Sequence, residues 1–394
     1  MSVFHNNALI GAGAGTGTAA AAEYVIPKSL RFNSGDTAHL SKTFSTAGNQ
    51  STWTWSAWIK RSKLGATTRV FQARSGNTSD QTFIQFRTDD KLYIGGNADV
   101  FLVNTDAVFR DPGAWGHLTV SFDTTQSTAA DRIRVYWNGT QLSLSGTQPS
   151  QNYSAAQINS TYPHSIGIDS GGGAELFNGF LADIQFVDGQ ALAPTDFGET
   201  RSSDGVWVPK EYTGTYDGFN KDQTWSTYGS VTAGTFSPTI AALFDNDVST
   251  GPSTGANTLA TWTFTQAITA SKSIHIYVVN GSGPSGTQAS DTEIRLTVDG
   301  TVHAIDGAPG LIDTGLTGDL TAITINVGQS GSSGLRYIKV DGLELVDPSV
   351  ATVNNGFHLN FSDSSTNEAL GFDSAPTTPD PDPKKGMDVI TYTG

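Results

Sequence analysis

Asp245, Asp247 and Thr250 put three hard oxygen donors on one short loop, and Glu344 lies near a later strand from which it could close a ring around a cation. A calcium ion takes roughly 6 to 8 such oxygens, so these four residues are the candidate structural calcium site. The same loop has a plainer reading, because Asp245 and Asn246 are also residues that make turns by bonding their own backbone. Aromatic rings offer a second chemistry, stacking on a sugar ring. Among the 8 Trp of the chain, Trp53, Trp55, Trp115, Trp137, Trp225 and Trp262 fall on or beside predicted strands, where a core claims most such rings. Tyr153, Tyr162 and Tyr228 fall in loops and are the candidate ligand-binding residues. The His residues at 5, 39, 117, 164, 275, 303 and 358 are scattered singly, and none has metal-ligand spacing with another. No nucleophile, base and acid set stands out, nor a carboxylate pair of glycosidase type. The expectation is a protein that is not an enzyme.

Composition narrows the classes further. The formal net charge is −15 and the basic residues are dispersed, with residues 60–63 the one local cluster. Phosphate binding needs clustered Lys and Arg, so nucleic acid is not expected as a partner. There is no Cys, which removes thiolate metal sites and Cys nucleophiles. No apolar run approaches the roughly 20 residues of a membrane helix, and the N-terminus lacks the pattern of a secretory signal peptide. With 44 Gly and only 15% charged residues, the chain has the composition of many short strands joined by tight turns.

The elements that must hold these residues read as all-β. Residues 52–60 alternate so that Trp53, Trp55 and Ile59 share one face, and Leu118, Val120 and Phe122 do the same in 115–123. Residues 133–142 are two strands around Asn138-Gly139, the strongest short hairpin signal in the chain. Residues 177–192 alternate after Asp183 like a strand with one wet face. A second run of short strand candidates includes Trp225, 260–264, 273–279, 293–300, 322–327 and 337–342. Residues 355–363 again alternate, which suggests that this second unit interrupts the first. The expected division is an arm at 1–24, a first sandwich at 25–219 plus 353–373, and a second at 221–349. A Pro-rich linker at 374–385 and the start of a further domain or a truncated tail at 386–394 complete it.

The order of the Trp58 strand, the Trp115 strand, the Asn138-Gly139 hairpin, Ile166-Gly167 and Phe180 to Phe186 resembles the laminin G-like, concanavalin-like jelly roll. The opening residues 1–7, the run 52–61, and 186–192 followed by 195–199 and 205–207 resemble virion proteins of marine bacteriophages, especially cyanophages. Residues 241–250 and 337–340 resemble discoidin-like, galactose-binding-like modules, with Asn246 where Gly is common and no Trp soon after Thr250. These resemblances imply a laminin G-like sandwich with an inserted discoidin-like sandwich, assembled in the host cytoplasm and carried on the phage particle. They imply a tail fibre or adhesin for host surface polysaccharide, attached to other virion proteins through the N-terminal arm and, as fibres commonly are, a homotrimer. The alternative is a capsid decoration or head-fibre protein whose sandwiches are purely structural.

Overall fold

Two of the alternating runs become long neighbouring strands, Thr52–Arg61 and Gly179–Asp188, in the middle of a seven-stranded sheet. The structure is a computed structural model. It describes residues 23–375 and 388–390, apart from 77–78, 97–99, 155–156, 170, 172–173, 237–238, 253, 255–257, 280–291, 328–333, 351–354 and 367. Almost all of the expected arm at 1–24 and of the Pro-rich stretch 374–385 therefore lies outside the described residues. Among those described, the helical pieces are four short 3-10 turns, and no helix is long and apolar enough to cross a membrane.

Across the first sheet the order is Leu30–Phe32, Gly179–Asp188, Thr52–Arg61, Gly116–Asp123, Ile133–Trp137 and Thr140–Gln141, with Phe357–Leu359 also on Gly179–Asp188. An eight-stranded sheet faces it, running from Leu144–Thr147 through Phe101–Thr105, Leu92–Gly96, Gln81–Phe86, Thr68–Arg74 and Pro163–Ile166 to His39–Thr43 and Asp388–Ile390. Alternation sends Trp53, Trp55, Ala57 and Ile59 inward, each at most 1% exposed. Trp53 stacks on Phe122 (4.7 Å, 7°), and Trp55 meets Phe71 of the facing sheet (6.0 Å, 18°). Fully burying one such ring contributes on the order of 1.5–3 kcal/mol. Asp388–Ile390, which the sequence assigns to a further domain or truncated tail, pairs antiparallel with His39–Thr43 and extends the sheet edge.

The Asn138-Gly139 hairpin forms with φ of 49° and 77° at its two turn residues, the left-handed pair of a type I′ turn. Gly139 is also the seat of the Trp207 ring, since a Cβ there would lie 2.4 Å from it. Gly139→Ala is thus expected to cost about 1–3 kcal/mol through clash and backbone strain, read as a lower melting temperature. An unchanged Tm would refute the fit.

Residues 219–345 build two five-stranded sheets. One orders Phe219–Asn220, Leu343–Leu345, Leu335–Val340, Ile274–Val278 and Gly310–Asp313; the other Gly229–Ala233, Thr258–Ala270, Gly318–Val327, Thr292–Val298 and Thr301–Ile305. Their core joins Phe244, Trp262, Ile276, Leu296, Ile325 and Ile338. Trp225 corrects the strand reading: it sits in a turn, 3% exposed, and its indole N–H donates to the Asn220 carbonyl at 2.7 Å.

The chain returns to the first sandwich at Phe357–Leu359, whose register sets Phe357 against Phe186 and Leu359 against Ile184. Phe357, Leu359 and Phe361 belong to the first core. The strand they join carries a bulge between Ala182 and Gln185 on its other side, with Asp183 at φ 50°. Below the bulge its partner is Leu30–Phe32; above it, Phe357–Leu359. The extra residue re-aims the strand where its neighbour changes.

Candidate functional site

One end of the first sandwich holds an aromatic-walled cleft of about 210 Å³, lined by residues that include Ile59, Arg61, Phe109, Trp115 and Trp137. Trp115 directly precedes the Gly116–Asp123 strand, and Trp137 ends the neighbouring Ile133–Trp137 strand. The indole of Trp137 lies over Gly116, where a Cβ would come within 1.8 Å of a ring carbon, so glycine makes the ring's place. Phe109 packs on Trp137 with centroids 4.5 Å apart, and Trp115 leans on Phe180 at 6.4 Å. Both indoles remain half-buried.

Beneath the rings, Arg61 pairs with Asp90 at 3.0 Å, both nearly fully buried. Asp90 also accepts from the Gly65 N–H at 2.8 Å and from Arg110 Nε at 3.2 Å. Burial raises the Asp90 carboxyl, but the Gly65 N–H and the two guanidiniums outweigh it and hold the group below the usual carboxylate range. The Asp90 carbonyl accepts from the Phe109 N–H at 2.9 Å, so the ion pair anchors the loop that carries Phe109 and Arg110. Arg110, Asp111 and Asn138 are exposed at the rim. Indole surfaces beside a guanidinium, a carboxylate and an amide are the mixture that grips a flat ring bearing hydroxyl groups, apolar on its faces and polar at its edge.

The outer face of the same sheet holds an arrangement that sequence alone gave no reason to pair. Ser56 Oγ lies 2.8 Å from His117 Nε2, the contact of a nucleophile with its base. The Trp207 indole N–H donates to His117 Nδ1 at 3.2 Å, which leaves the ring proton on Nε2. That nitrogen donates to Ser56 and cannot take its proton. Burial pushes the imidazole down to about 4, and Trp207 stacks above it. The pair holds the sheet to the segment that covers it.

The residues singled out from sequence are not gathered in one place. Asp245 Oδ2 accepts from Thr250 Oγ1 at 2.7 Å, Asp245 Oδ1 from the Asp247 N–H at 3.0 Å, and Asp247 Oδ1 from Ser249 Oγ at 2.6 Å. These are turn-forming bonds that spend the oxygens within the loop, with Asn246 left-handed at φ 55°. Glu344 lies on the strand Leu343–Leu345 across a cavity from Asn246, and among the described residues no three His, Asp or Glu side chains come together to hold a metal ion. In this arrangement the four residues do not fit a calcium cage. Tyr153 lies with its ring edge-on to Phe101 at 5.6 Å, packed against the first core. Tyr162 is 39% exposed, and Tyr228 packs on Trp225 in the second unit with its hydroxyl 3.3 Å from Gln266. Trp115 and Trp137, which sequence assigns mainly to a core, line the cleft, and Trp137 also packs against the first core. The signal that could have marked them is position: each sits at the end of a strand.

Residues 32–196 match the model of the concanavalin A-like lectin/glucanases superfamily. No curated protein matches the chain. Among solved structures, it is similar to a heptameric SAP-like pentraxin of Limulus polyphemus, at 20% identity over 41% of this chain and 76% of that one, with a TM-score of 0.32. It is also similar to the CBM40 module of the Ruminococcus gnavus IT-sialidase bound to α2,3-sialyllactose, at 10% identity over 40% and 94% and a TM-score of 0.30. A third is domain 4 of AbnA, a GH43 extracellular arabinanase of Geobacillus stearothermophilus, in complex with arabinotriose, at 16% identity over 37% and 65% and a TM-score of 0.28. Among the described residues the regular structure is almost all β-strand, and the first sandwich has the concanavalin-like, laminin G fold.

Proposed function

We propose that the protein is a non-catalytic glycan-binding component of a phage particle, a tail fibre or adhesin that presents its sandwiches to host surface polysaccharide. The observation that carries the binding half of this reading is the cleft between Trp115 and Trp137, with Arg110, Asp111 and Asn138 at its mouth. The virion half is supported by the resemblance of residues 1–7, 52–61, 186–192, 195–199 and 205–207 to virion proteins of marine phages. Attachment through residues 1–24 and assembly as a trimer belong to the same proposal.

The test is binding of the purified full chain to polysaccharide extracted from candidate host cells, and to a glycan array, compared with Trp115→Ala. Removing one wall of a ring-stacking site is expected to weaken binding roughly tenfold or more. Trp115 is only half-buried, so near-UV circular dichroism should show the fold intact. Equal binding by the variant would move the site elsewhere. Binding to empty capsids and to no glycan would favour a capsid decoration instead.

A further inference from the structure

We propose that the junction between the two sandwiches holds a second ligand site, for a single sugar ring or a polyol of that size, built around Glu344. The cavity there measures about 250 Å³ and is bounded by Gly48, Asn49 and Gly189 on one side and by Asn246, Tyr337, Lys339 and Glu344 on the other. It shares no residue with the Trp115 cleft, and the inference stands whether or not that cleft binds a glycan.

Close approaches at two glycines build its wall on the first sandwich. A Cβ on Gly48 would lie 2.2 Å from Asp188 Oδ2, and one on Gly189 would lie 2.8 Å from the Gly218 Cα. The two units meet at this point: the Glu344 N–H donates to the Gly218 carbonyl at 2.8 Å, and Gly218 lies against Gly189 of the first sandwich. Asp188, buried beside the cavity, is saturated: it accepts from the Asn49 N–H at 2.9 Å, from Asn159 Nδ2 at 2.5 Å and from the Asn355 N–H at 3.3 Å.

Glu344 is the opposite case. It is 7% exposed, it lines the cavity, and no described residue donates a hydrogen bond or forms an ion pair to its carboxyl group. Its carboxyl oxygens open only onto the cavity, where the hydroxyls of a ligand can donate to them. Lys339, its cross-strand neighbour, has its ammonium 5.6 Å from the Tyr337 ring, and Tyr337 in turn stacks on Tyr277 (5.0 Å, 13°).

These groups select the ligand. The ammonium of Lys339 disfavours a metal ion, and the carboxyls of Glu344 and Asp188 disfavour an anion. A neutral polyol uses both ends, with hydroxyls donating to Glu344 and accepting from Lys339 and the Asn246 amide. Pockets for drug-sized ligands run to about 300–1,000 Å³, so this smaller space suits one ring.

Lysine acetylation of the intact chain, mapped by mass spectrometry with and without high-millimolar glucose, galactose or N-acetylglucosamine, tests the site. At least one sugar is expected to suppress labelling of Lys339 severalfold while leaving the exposed Lys63 unchanged. Protection should vanish in Glu344→Gln and persist in Trp115→Ala; that contrast separates this site from the cleft. Asn246→Gly, on an exposed left-handed turn, provides a second variant that should weaken protection. Equal labelling of Lys339 with every sugar, or protection that survives both Glu344→Gln and Asn246→Gly, overturns the proposal.

Discussion

Phe357→Ala should destabilise the first sandwich by about 3–5 kcal/mol, the range for truncating a buried Phe, although residue 357 lies far along the chain from the rest of that core. Phe357 is fully buried, its ring centroid 5.7 Å from that of Phe186, and its strand is hydrogen-bonded to Gly179–Asp188. Losing the ring leaves a cavity between Phe186 and Leu359 that the flanking sheet can fill only by distortion. The neighbouring residue adds to the loss. His358 Nε2 lies 2.5 Å from Asp183 Oδ1, and Asp183 is 2% exposed. That carboxylate also accepts from the Tyr24 hydroxyl at 3.1 Å and from Gln185 Nε2 at 3.0 Å. One side chain at the bulge therefore fastens a segment before the sandwich to one that follows the second unit. Urea unfolding followed by tryptophan fluorescence measures the effect, since Trp53 and Trp55 report on this core. A loss under about 1 kcal/mol, the scale of an ordinary surface change, would mean that the returning strand is not part of the core.

Much of this architecture was legible because period-two patterns depend only on neighbouring residues. The inward set Trp53, Trp55 and Ile59, the Asn138-Gly139 turn and the strand after Asp183 all emerged from local spacing. What was not legible is what covers the outer faces. Trp58 alternates outward yet is 8% exposed, because Trp207 and His117 extend the layer above it. On the facing sheet Arg69 and Arg74 point away from the core yet are buried, held by ion pairs to Glu175 and Asp169 at 2.5 and 2.8 Å. Such covers bring together residues about a hundred positions apart, which no window of sequence contains. The surroundings of the candidate site residues were hidden for the same reason. Loop position favoured Tyr153, but its ring packs on the core, while the glycine at 116 gives the Trp137 ring a place where it both packs on the core and walls the cleft. Asp245, Asp247 and Thr250 have suitable donor types, but their hydrogen bonds run within their own turn.

Glu344→Gln is expected to stabilise the protein at alkaline pH by up to about 3 kcal/mol, with the gain fading to nothing near pH 4. Burial, with a smaller push from Asp245 and an opposing pull from Lys339, raises the Glu344 carboxyl from its ordinary 4.5 to about 7. A carboxyl raised by folding favours the native state fully below its unfolded value, and that contribution is lost as pH rises through about 7. The amide never charges, so the variant escapes the loss. Asp188, raised by burial from 3.8 to about 6, gives the wild-type chain a second contribution of the same sign over a lower window. The buried imidazoles act oppositely. Burial lowers His117 and His164 from 6.5 to about 4, so the stability they contribute is present above 6.5 and lost as pH falls through about 4. For His164 the geometry explains why protonation is resisted: Nε2 accepts from the Asn159 N–H at 2.8 Å while Nδ1 donates to the Tyr162 carbonyl at 2.8 Å. Between pH 4 and 6.5 the two carboxyls and the two imidazoles offset one another, which should leave the wild-type profile shallow there. Removing Glu344 unbalances it, so the variant should lose stability on acidification more steeply than the wild type. Denaturant melts of both proteins from pH 4 to 9 decide the matter. Parallel curves across that range would show that the Glu344 carboxyl is solvated in the folded protein, in conflict with its place in the junction.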